Sequence, residues 1–94
     1  MRTEVRGSHE VVSSNGVVWI NDIQGMCIGR FSHWGIDIHH GTKKQMEGEH
    51  CIKCSPGRPT LSGWNEFVLD MEKLHGVTIS AIHRPVWVKE NYDG

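Results

Sequence analysis

The chain has 94 residues, of which 37% are hydrophobic and 22% are charged, and its formal net charge is -1. This composition supports one packed domain and excludes both an intrinsically disordered chain and a second independent domain. The near-neutral charge also excludes the broad positive field of a general nucleic-acid binder, so nucleic acid is not an expected partner.

The N-terminal part of the chain predicts an arm followed by a hairpin. Residues 1–8 are polar and lack periodicity, so we expect a flexible arm in front of a single domain over residues 9–94. Asn15 and Gly16 then separate two β-branched runs. Both residues tolerate positive φ, as a type I′ turn requires, and the pattern therefore predicts a β-hairpin.

Two further strands are predicted over residues 26–31 and 35–40, joined by a tight connection. Side chains alternate between the two faces of a strand. The isoleucines of the second strand are therefore expected to face the core together with His40, while Asp37 and His39 face the opposite, open side.

The most regular element is an amphipathic helix over residues 61–75. Pro59 and either Thr60 or Ser62 are expected to open it, and Gly76 is expected to end it in a left-handed cap. Apolar residues recur at spacings of three and four, which is the pattern of a helix with one buried face. That face comprises Leu61, Trp64, Phe67, Val68, Met71 and Leu74.

The remaining segments complete the predicted fold. Residues 41–60 lack periodicity and are expected to form a long loop at one end of the domain. Residues 77–82 and 86–88 are apolar enough for one or two closing strands. The whole pattern predicts an α+β fold, in which a small antiparallel sheet of four or five strands carries the amphipathic helix on one face.

Cellular context follows from what the sequence lacks. No apolar run approaches the roughly 20 residues of a membrane span, and the N-terminus has no hydrophobic segment of the kind that opens a secretory signal. We therefore expect a cytoplasmic protein without membrane association. The three cysteines are an odd number, which argues against a closed disulfide framework and favours thiols that stay reduced.

Cysteine and histidine residues are concentrated in the middle of the chain. Cys51 and Cys54 have the spacing of a zinc knuckle, and a zinc ion would order the long loop that contains them. The structural alternative is that they are simply two small packed side chains. The expected zinc ligands are Cys51, Cys54, His39 and Cys27, with His50 and His33 as alternates.

The same segment offers a nucleophilic alternative. The His-Gly pair that begins at His40, followed by His-Cys-Ile-Lys at residues 50–53, resembles the motif of the L,D-transpeptidases, in which a His-Gly segment precedes Ser-His-Gly-Cys-Ile-Arg. The resemblance implies an enzyme in which Cys51 attacks a peptidoglycan peptide. It further implies His40 or His50 as the base and Lys53 in the place of the arginine.

A metal-dependent nuclease is a further alternative. Asp-Ile-His-His at residues 37–40, close to the Cys-x2-Cys pair, resembles the HNH endonucleases, in which a strand histidine activates water beside a divalent ion. The resemblance implies that an asparagine and a further histidine lie on the following helix. Asn65 and His75 are the residues that this chain offers there.

A broader resemblance extends over more of the chain. The segments 27–31 and 35–39, the Cys-x2-Cys pair and the helix that carries Trp64 are similar to small phage- or prophage-encoded proteins of unknown function. What the resemblance implies is an accessory protein that binds and inhibits a host factor, such as a component of a defence system. A non-enzymatic binding protein with a host protein as its partner is therefore the working hypothesis.

The residues expected to contact that partner are an aromatic residue and two lysines. Trp34 lies in the predicted tight connection beside His33, where a large side chain is expected to be exposed. Lys43 and Lys44 follow the second histidine-bearing strand and provide local positive charge. These three residues are the predicted partner-binding set.

Overall fold

The computed structural model describes residues 9–90, with side chains up to residue 88, and it has the predicted α+β architecture. The predicted arm over residues 1–8 lies outside the described residues. Five antiparallel strands form one sheet in the order β1-β2-β3-β4-β5, so every strand pairs with its neighbours in sequence. The strands are β1 (Glu10–Ser14), β2 (Val17–Asn21), β3 (Cys27–Ser32), β4 (Gly35–His39) and β5 (Cys51–Pro56). The helices are α1 (Thr42–Met46), α2 (Leu61–His75) and two short 3-10 helices at Ala81–His83 and Val86–Glu90.

The first hairpin forms as the sequence predicts. Asn15 and Gly16 have φ values of 52° and 79°, and they connect β1 to β2 with Ser14 opposite Val17. Two successive residues with positive φ match the twist of the flanking strands. The prediction of a hairpin at Asn-Gly is confirmed.

Helix α2 covers one face of the sheet and encloses the core. The Thr60 hydroxyl accepts a hydrogen bond from the Gly63 N–H at 3.2 Å, and Gly76 ends the helix with φ of 70°. Both predicted caps are therefore present. The buried helix residues are Trp64, Phe67 and Met71, and they pack against Val18, Ile20, Ile28, Phe31 and Ile38 of the sheet. The prediction that Leu74 lies on the buried face of the helix is wrong, because this residue is 47% exposed.

The sequence predicts one long loop over residues 41–60, and this prediction is wrong. The segment contains α1 and β5, and β5 adds the fifth strand to the sheet beside β4. Nearly all of β5 is exposed, so its sequence lacks the apolar alternation by which strands are recognised. Helix α1 has no buried residues and is too short to show a periodic pattern.

The predicted closing strands over 77–82 and 86–88 are also wrong. Val77 and Ile79 are buried and alternate with exposed residues, but within residues 9–90 this segment joins no sheet. It is an extended segment that covers the core. Pro85 separates the two short 3-10 helices that follow, and a proline cannot donate a hydrogen bond to a strand ladder.

Candidate functional site

A bulge in β5 turns the two cysteines of the Cys-x2-Cys pair to the same side of the sheet. Residues three apart in a regular strand point to opposite faces. Here Cys54 lies opposite Asp37 and Cys51 lies opposite His39, so the intervening Ile52 is an extra residue in the ladder. All four side chains therefore share the outer face of the sheet, away from α2.

The two sulfurs on this face are bonded to each other. Cys51 and Cys54 form a disulfide with a Cα–Cα distance of 6.8 Å, and both residues are exposed. The expectation that all thiols stay reduced is therefore wrong for this pair, because the bulge brings the two sulfurs within bonding range. The odd cysteine is Cys27, which remains free.

Cys27 has the environment of an unreactive thiol. Burial raises the pKa of its thiol, since the anionic thiolate is disfavoured away from water, and this outweighs the opposing effect of the Gly29 backbone. The thiol also donates to the Gly29 carbonyl oxygen at a sulfur–oxygen distance of 3.4 Å. Reactive thiol chemistry is therefore not expected at this residue.

The structure brings together part of the predicted zinc set. His39 is the cross-strand neighbour of Cys51 on the outer face, but Cys27 lies on β3, on the other side of β4. His33 lies in the β3–β4 turn at the far end of the hairpin, and the His50 ring lies 3.2 Å from a glutamine oxygen of α1. Across residues 9–90, no three histidine, cysteine or acidic side chains are grouped so as to hold a metal ion.

The residues of the transpeptidase-like motif do not converge on one site. Cys51 is exposed but is part of the disulfide. The Lys53 ammonium instead donates to Asp70 at 2.8 Å and to Glu66 at 2.7 Å, so it binds α2 on the opposite face of the sheet. These hydrogen bonds, the one to Asp70 first and then the one to Glu66, raise the pKa of Lys53 because they favour its charged form. Lys53 therefore fastens β5 to the helix.

The other candidate histidines have structural contacts. The His40 N–H donates to the His50 carbonyl at 2.8 Å, which continues the pairing of the two segments past the end of β4. The His75 ring nitrogen Nε2 lies 2.8 Å from the His39 carbonyl oxygen, at the C-terminal end of α2. Asn65 lies near the opposite end of that helix and is exposed. The helix residues implied by the nuclease resemblance are therefore apart.

Trp34 is the most prominent exposed aromatic side chain among the described residues. It lies in the β3–β4 turn and is 69% exposed. Its backbone is fixed on both sides, because its N–H donates to the Ser32 hydroxyl at 3.2 Å and its carbonyl accepts from the Gly57 N–H at 2.7 Å. Lys43 and Lys44 lie on α1, beyond the opposite end of β4, so the structure does not place them beside Trp34.

Trp87 organises a stack of side chains at the same end of the sheet. Its ring lies 5.5 Å from Phe31 and 4.4 Å from His33, nearly parallel to both, and the Arg58 guanidinium lies 4.9 Å from its centre. Its indole N–H donates to the Gly16 carbonyl at 2.8 Å. Trp87 therefore joins the first hairpin, the β3–β4 turn and the segment after β5.

Two exposed apolar side chains lie at the same end of the sheet as Trp34 and Trp87. Ile82 and Val86 are 84% and 75% exposed, and they border a groove of about 360 Å³ beside the β1–β2 turn. We call the surface formed by Trp34, Arg58, Ile82 and Val86 over the Trp87 stack the aromatic end. The sequence does not predict the exposure of Ile82 and Val86, because the predicted strands would place both residues in the sheet. The only available signal was Pro85, which disfavours a central strand there.

No protein-family model, curated protein or solved structure matches this chain. No helix within residues 9–90 is long and apolar enough to cross a membrane.

Proposed function

We propose that this protein is a small non-enzymatic binding protein that contacts another protein through the aromatic end. The observation that supports this most directly is the exposure of Trp34 on a backbone fixed by two hydrogen bonds. Most of this large apolar side chain therefore lies in water, with the His33 ring as an aromatic neighbour at 6.2 Å. In a complex the same side chain would bury a large area without first having to order its loop.

The chemistry around Trp34 resembles that of protein-binding surfaces. Tryptophan and arginine are enriched among the residues that contribute most to binding energy. Arg58 provides the arginine and is positioned against the Trp87 ring, so little side-chain freedom remains to be lost on binding. Ile82 and Val86 add apolar area at the same end. Together they form an apolar centre with a cationic neighbour.

The partner that we propose is a host protein in the cytoplasm. This follows the resemblance to small phage proteins, which implies a role as an inhibitor of a host factor. Arg58 favours a partner surface that carries acidic groups near an apolar pocket, because an arginine that loses water on binding needs a paired charge. The compartment and the inhibitory role are parts of the same proposal.

The experiment compares two variants that remove exposed apolar side chains at opposite ends of the fold. Trp34→Ala removes the aromatic anchor, and Met46→Ala removes a 79% exposed side chain from α1. Tagged forms of both variants and of the unchanged protein are used to capture proteins from host lysate, after thermal unfolding has shown that all three are folded. We expect at least one captured protein to be lost with Trp34→Ala and retained with Met46→Ala.

Two results would contradict the proposal. Capture that is unaffected by Trp34→Ala would show that the aromatic end is not the contact surface. Equal loss with both variants would show that exposed apolar area as such, rather than this site, was responsible for the capture.

Zinc binding is a second candidate function, for the reduced protein alone. Breaking the disulfide would free two thiolates on the face that they share with His39, and thiolate and imidazole are the ligands that zinc prefers. Zinc analysis of protein purified under reducing conditions tests this candidate. A zinc content near one equivalent that falls in His39→Gln would support it, and a content below about a tenth of an equivalent, against the single ion of a structural site, would eliminate it.

A further inference from the structure

We propose that the Cys51–Cys54 disulfide is a reversible thiol–disulfide exchange site. The proposal concerns the outer face of β5 and does not depend on binding at the aromatic end. Its substrates are thiols and disulfides, whether of low molecular weight or in a protein segment. Four features of the structure support it: exposure, the local nature of the cross-link, the attachment of β5, and the neighbouring polar side chains.

The first feature is that the disulfide is open to attack. Both cysteines are exposed and lie on β5, which pairs with β4 on one side and is the last strand of the sheet. Within the described residues no further strand covers the free edge of β5. Exchange requires a thiolate to approach a sulfur atom, and exposed disulfides are the ones that exchange readily.

The second feature is the small loop that the disulfide closes. The two cysteines are three positions apart in sequence. The constraint that a cross-link places on the unfolded chain grows with the length of the closed loop, so this bond restricts very little of the chain. The bond is therefore expected to stabilise the fold less than a cross-link between distant segments would.

The third feature is that β5 has attachments that do not need the disulfide. Its backbone pairs with β4 along the strand, and Lys53 binds Asp70 and Glu66 of α2. These contacts remain when the sulfur–sulfur bond is broken. Both redox forms are therefore expected to share one fold, as a site that cycles between them requires.

The fourth feature is the pair of side chains across from the cysteines. His39 is the cross-strand partner of Cys51, directly beside the bulge in the ladder. An imidazole at that position can donate a proton to a departing thiolate. Asp37 lies opposite Cys54, but its carboxylate is paired with Arg30 at 2.5 Å. This pairing limits the repulsion that Asp37 would exert on an approaching thiolate.

The exchange balances as two successive substitutions at sulfur. A thiolate of the reductant attacks one of the two sulfurs, the Cys51–Cys54 bond breaks, and the departing cysteine thiolate takes up a proton. A second thiol of the reductant then attacks the mixed disulfide and releases the other cysteine as a thiol. The protein gains two electrons and two protons, and two reductant thiols become one disulfide.

The test equilibrates the intact protein with glutathione and glutathione disulfide in the presence of a metal chelator. Remaining thiols are alkylated and located by peptide mass spectrometry, so that Cys27 acts as the internal control. Cys51 and Cys54 should convert together, as a two-electron exchange requires. The reduced fraction should rise from one-tenth to nine-tenths over a roughly eightyfold change in the squared glutathione concentration divided by the glutathione disulfide concentration. Circular dichroism should be the same for both forms.

Two variants test the role of the histidine. His39→Gln should slow reduction by glutathione several-fold with little change in the equilibrium ratio, because proton donation affects the rate. His83→Gln, at the β1 end of the fold, should leave the rate unchanged. Repeating the exchange with an unstructured cysteine-containing peptide distinguishes a protein substrate from a small thiol. If the substrate is a protein segment, the peptide should react faster than glutathione at equal thiol concentration.

Three results would overturn the proposal. The first is a disulfide that is reduced only when the protein unfolds, which would make it a structural link. The second is a pair that stays reduced at every glutathione ratio. The third is a Cys27 that exchanges as readily as the pair, which would show that exposure alone, and not this site, determines the reaction.

Discussion

The carboxylate of Asp22 is predicted to hold α1 onto the sheet. One oxygen, Oδ1, accepts hydrogen bonds from the Gln24 and Met26 N–H groups, both at 2.9 Å. The other, Oδ2, accepts from the Thr42 N–H at 2.9 Å and from the Thr42 hydroxyl at 2.7 Å. A single side chain therefore orders the β2–β3 connection and caps the turn that begins α1. Asp22→Ala removes the acceptor for all four donors.

The expected cost follows from the solvent exposure of those donors. A hydrogen bond to a charged group contributes about 1.5–3 kcal/mol when the donor would otherwise be left unsatisfied. The Gln24 N–H is exposed and water replaces its partner, whereas the Met26 and Thr42 donors are partly buried. We therefore expect Asp22→Ala to lower the free energy of unfolding by about 2–4 kcal/mol. Asp22→Asn, which keeps one acceptor oxygen, should lower it by about half as much.

Urea unfolding across a pH series tests both the size and the origin of the effect. Burial opposes ionisation of Asp22, but the hydrogen bonds from Thr42, Met26 and Gln24 outweigh it and lower its pKa. A carboxyl whose pKa is lower in the folded state stabilises the fold above its unfolded pKa of about 3.9. That stabilisation is lost as the pH falls through the folded value. The difference between the unchanged protein and Asp22→Asn should therefore be constant near neutral pH and shrink in acid.

A double-mutant cycle with Thr42→Val should give a coupling energy of about 1–2 kcal/mol between the two side chains. A difference between the unchanged protein and Asp22→Asn that does not vary with pH would show that the Asp22 charge does not stabilise the fold. A cost of Asp22→Ala below about 0.5 kcal/mol, the scale of an ordinary surface substitution, would show that Asp22 does not hold α1.

Three further predictions concern the core, the helix contact and the free thiol. Phe31→Ala should destabilise the fold by about 3–5 kcal/mol in urea, because a fully buried ring that contacts Trp64 and Phe67 leaves a cavity. Lys53→Met should cost only about 0.5–1.5 kcal/mol in the same assay, since its ion pairs are partly exposed and screened, and the cost should fall at high salt. Cys27 should be alkylated by iodoacetamide many times more slowly in the folded protein than in 6 M guanidinium, because burial raises the pKa of its thiol; equal rates would contradict this.

The sequence predicts the parts of this fold that depend on neighbouring residues. Asn15 and Gly16 adopt the positive φ that their turn requires. Helix α2 begins at Thr60, one of the two predicted caps, and ends at the predicted Gly76 cap. Each of these features is determined within a few positions, since turn type and helix capping are local. The antiparallel order of the sheet follows from strands that are adjacent in sequence.

The features that the sequence does not reveal depend on register and on packing between distant segments. The Cys51–Cys54 pair shares one face only because Ile52 bulges out of the ladder, and a bulge depends on the pairing with β4. Val77 and Ile79 alternate like strand residues because an extended segment buries every second side chain whether or not it pairs. Periodicity in the sequence indicates which side chains are buried. It distinguishes a paired strand from an unpaired extended segment only when a partner strand is known.

The disulfide and the aromatic end are connected through the residues that follow β5, so communication between the two sites can be tested. The disulfide lies in β5, and the residues that directly follow this strand contact Trp34 through the Gly57 N–H and Trp87 through Arg58. Lys53 is bound to α2 between the two cysteines, and the ladder with β4 continues to the end of the strand. With these contacts intact, breaking the disulfide should not displace the aromatic end.

Partner capture should therefore be the same for the oxidised and the reduced protein, and it should be sensitive to Trp34→Ala in both states. The measurement is the capture experiment repeated in oxidising buffer and in buffer with reductant, with the redox state confirmed by alkylation. A partner that binds only one redox form would contradict this independence. It would instead mean that the Gly57–Trp34 hydrogen bond transmits the state of the cysteines to the binding surface.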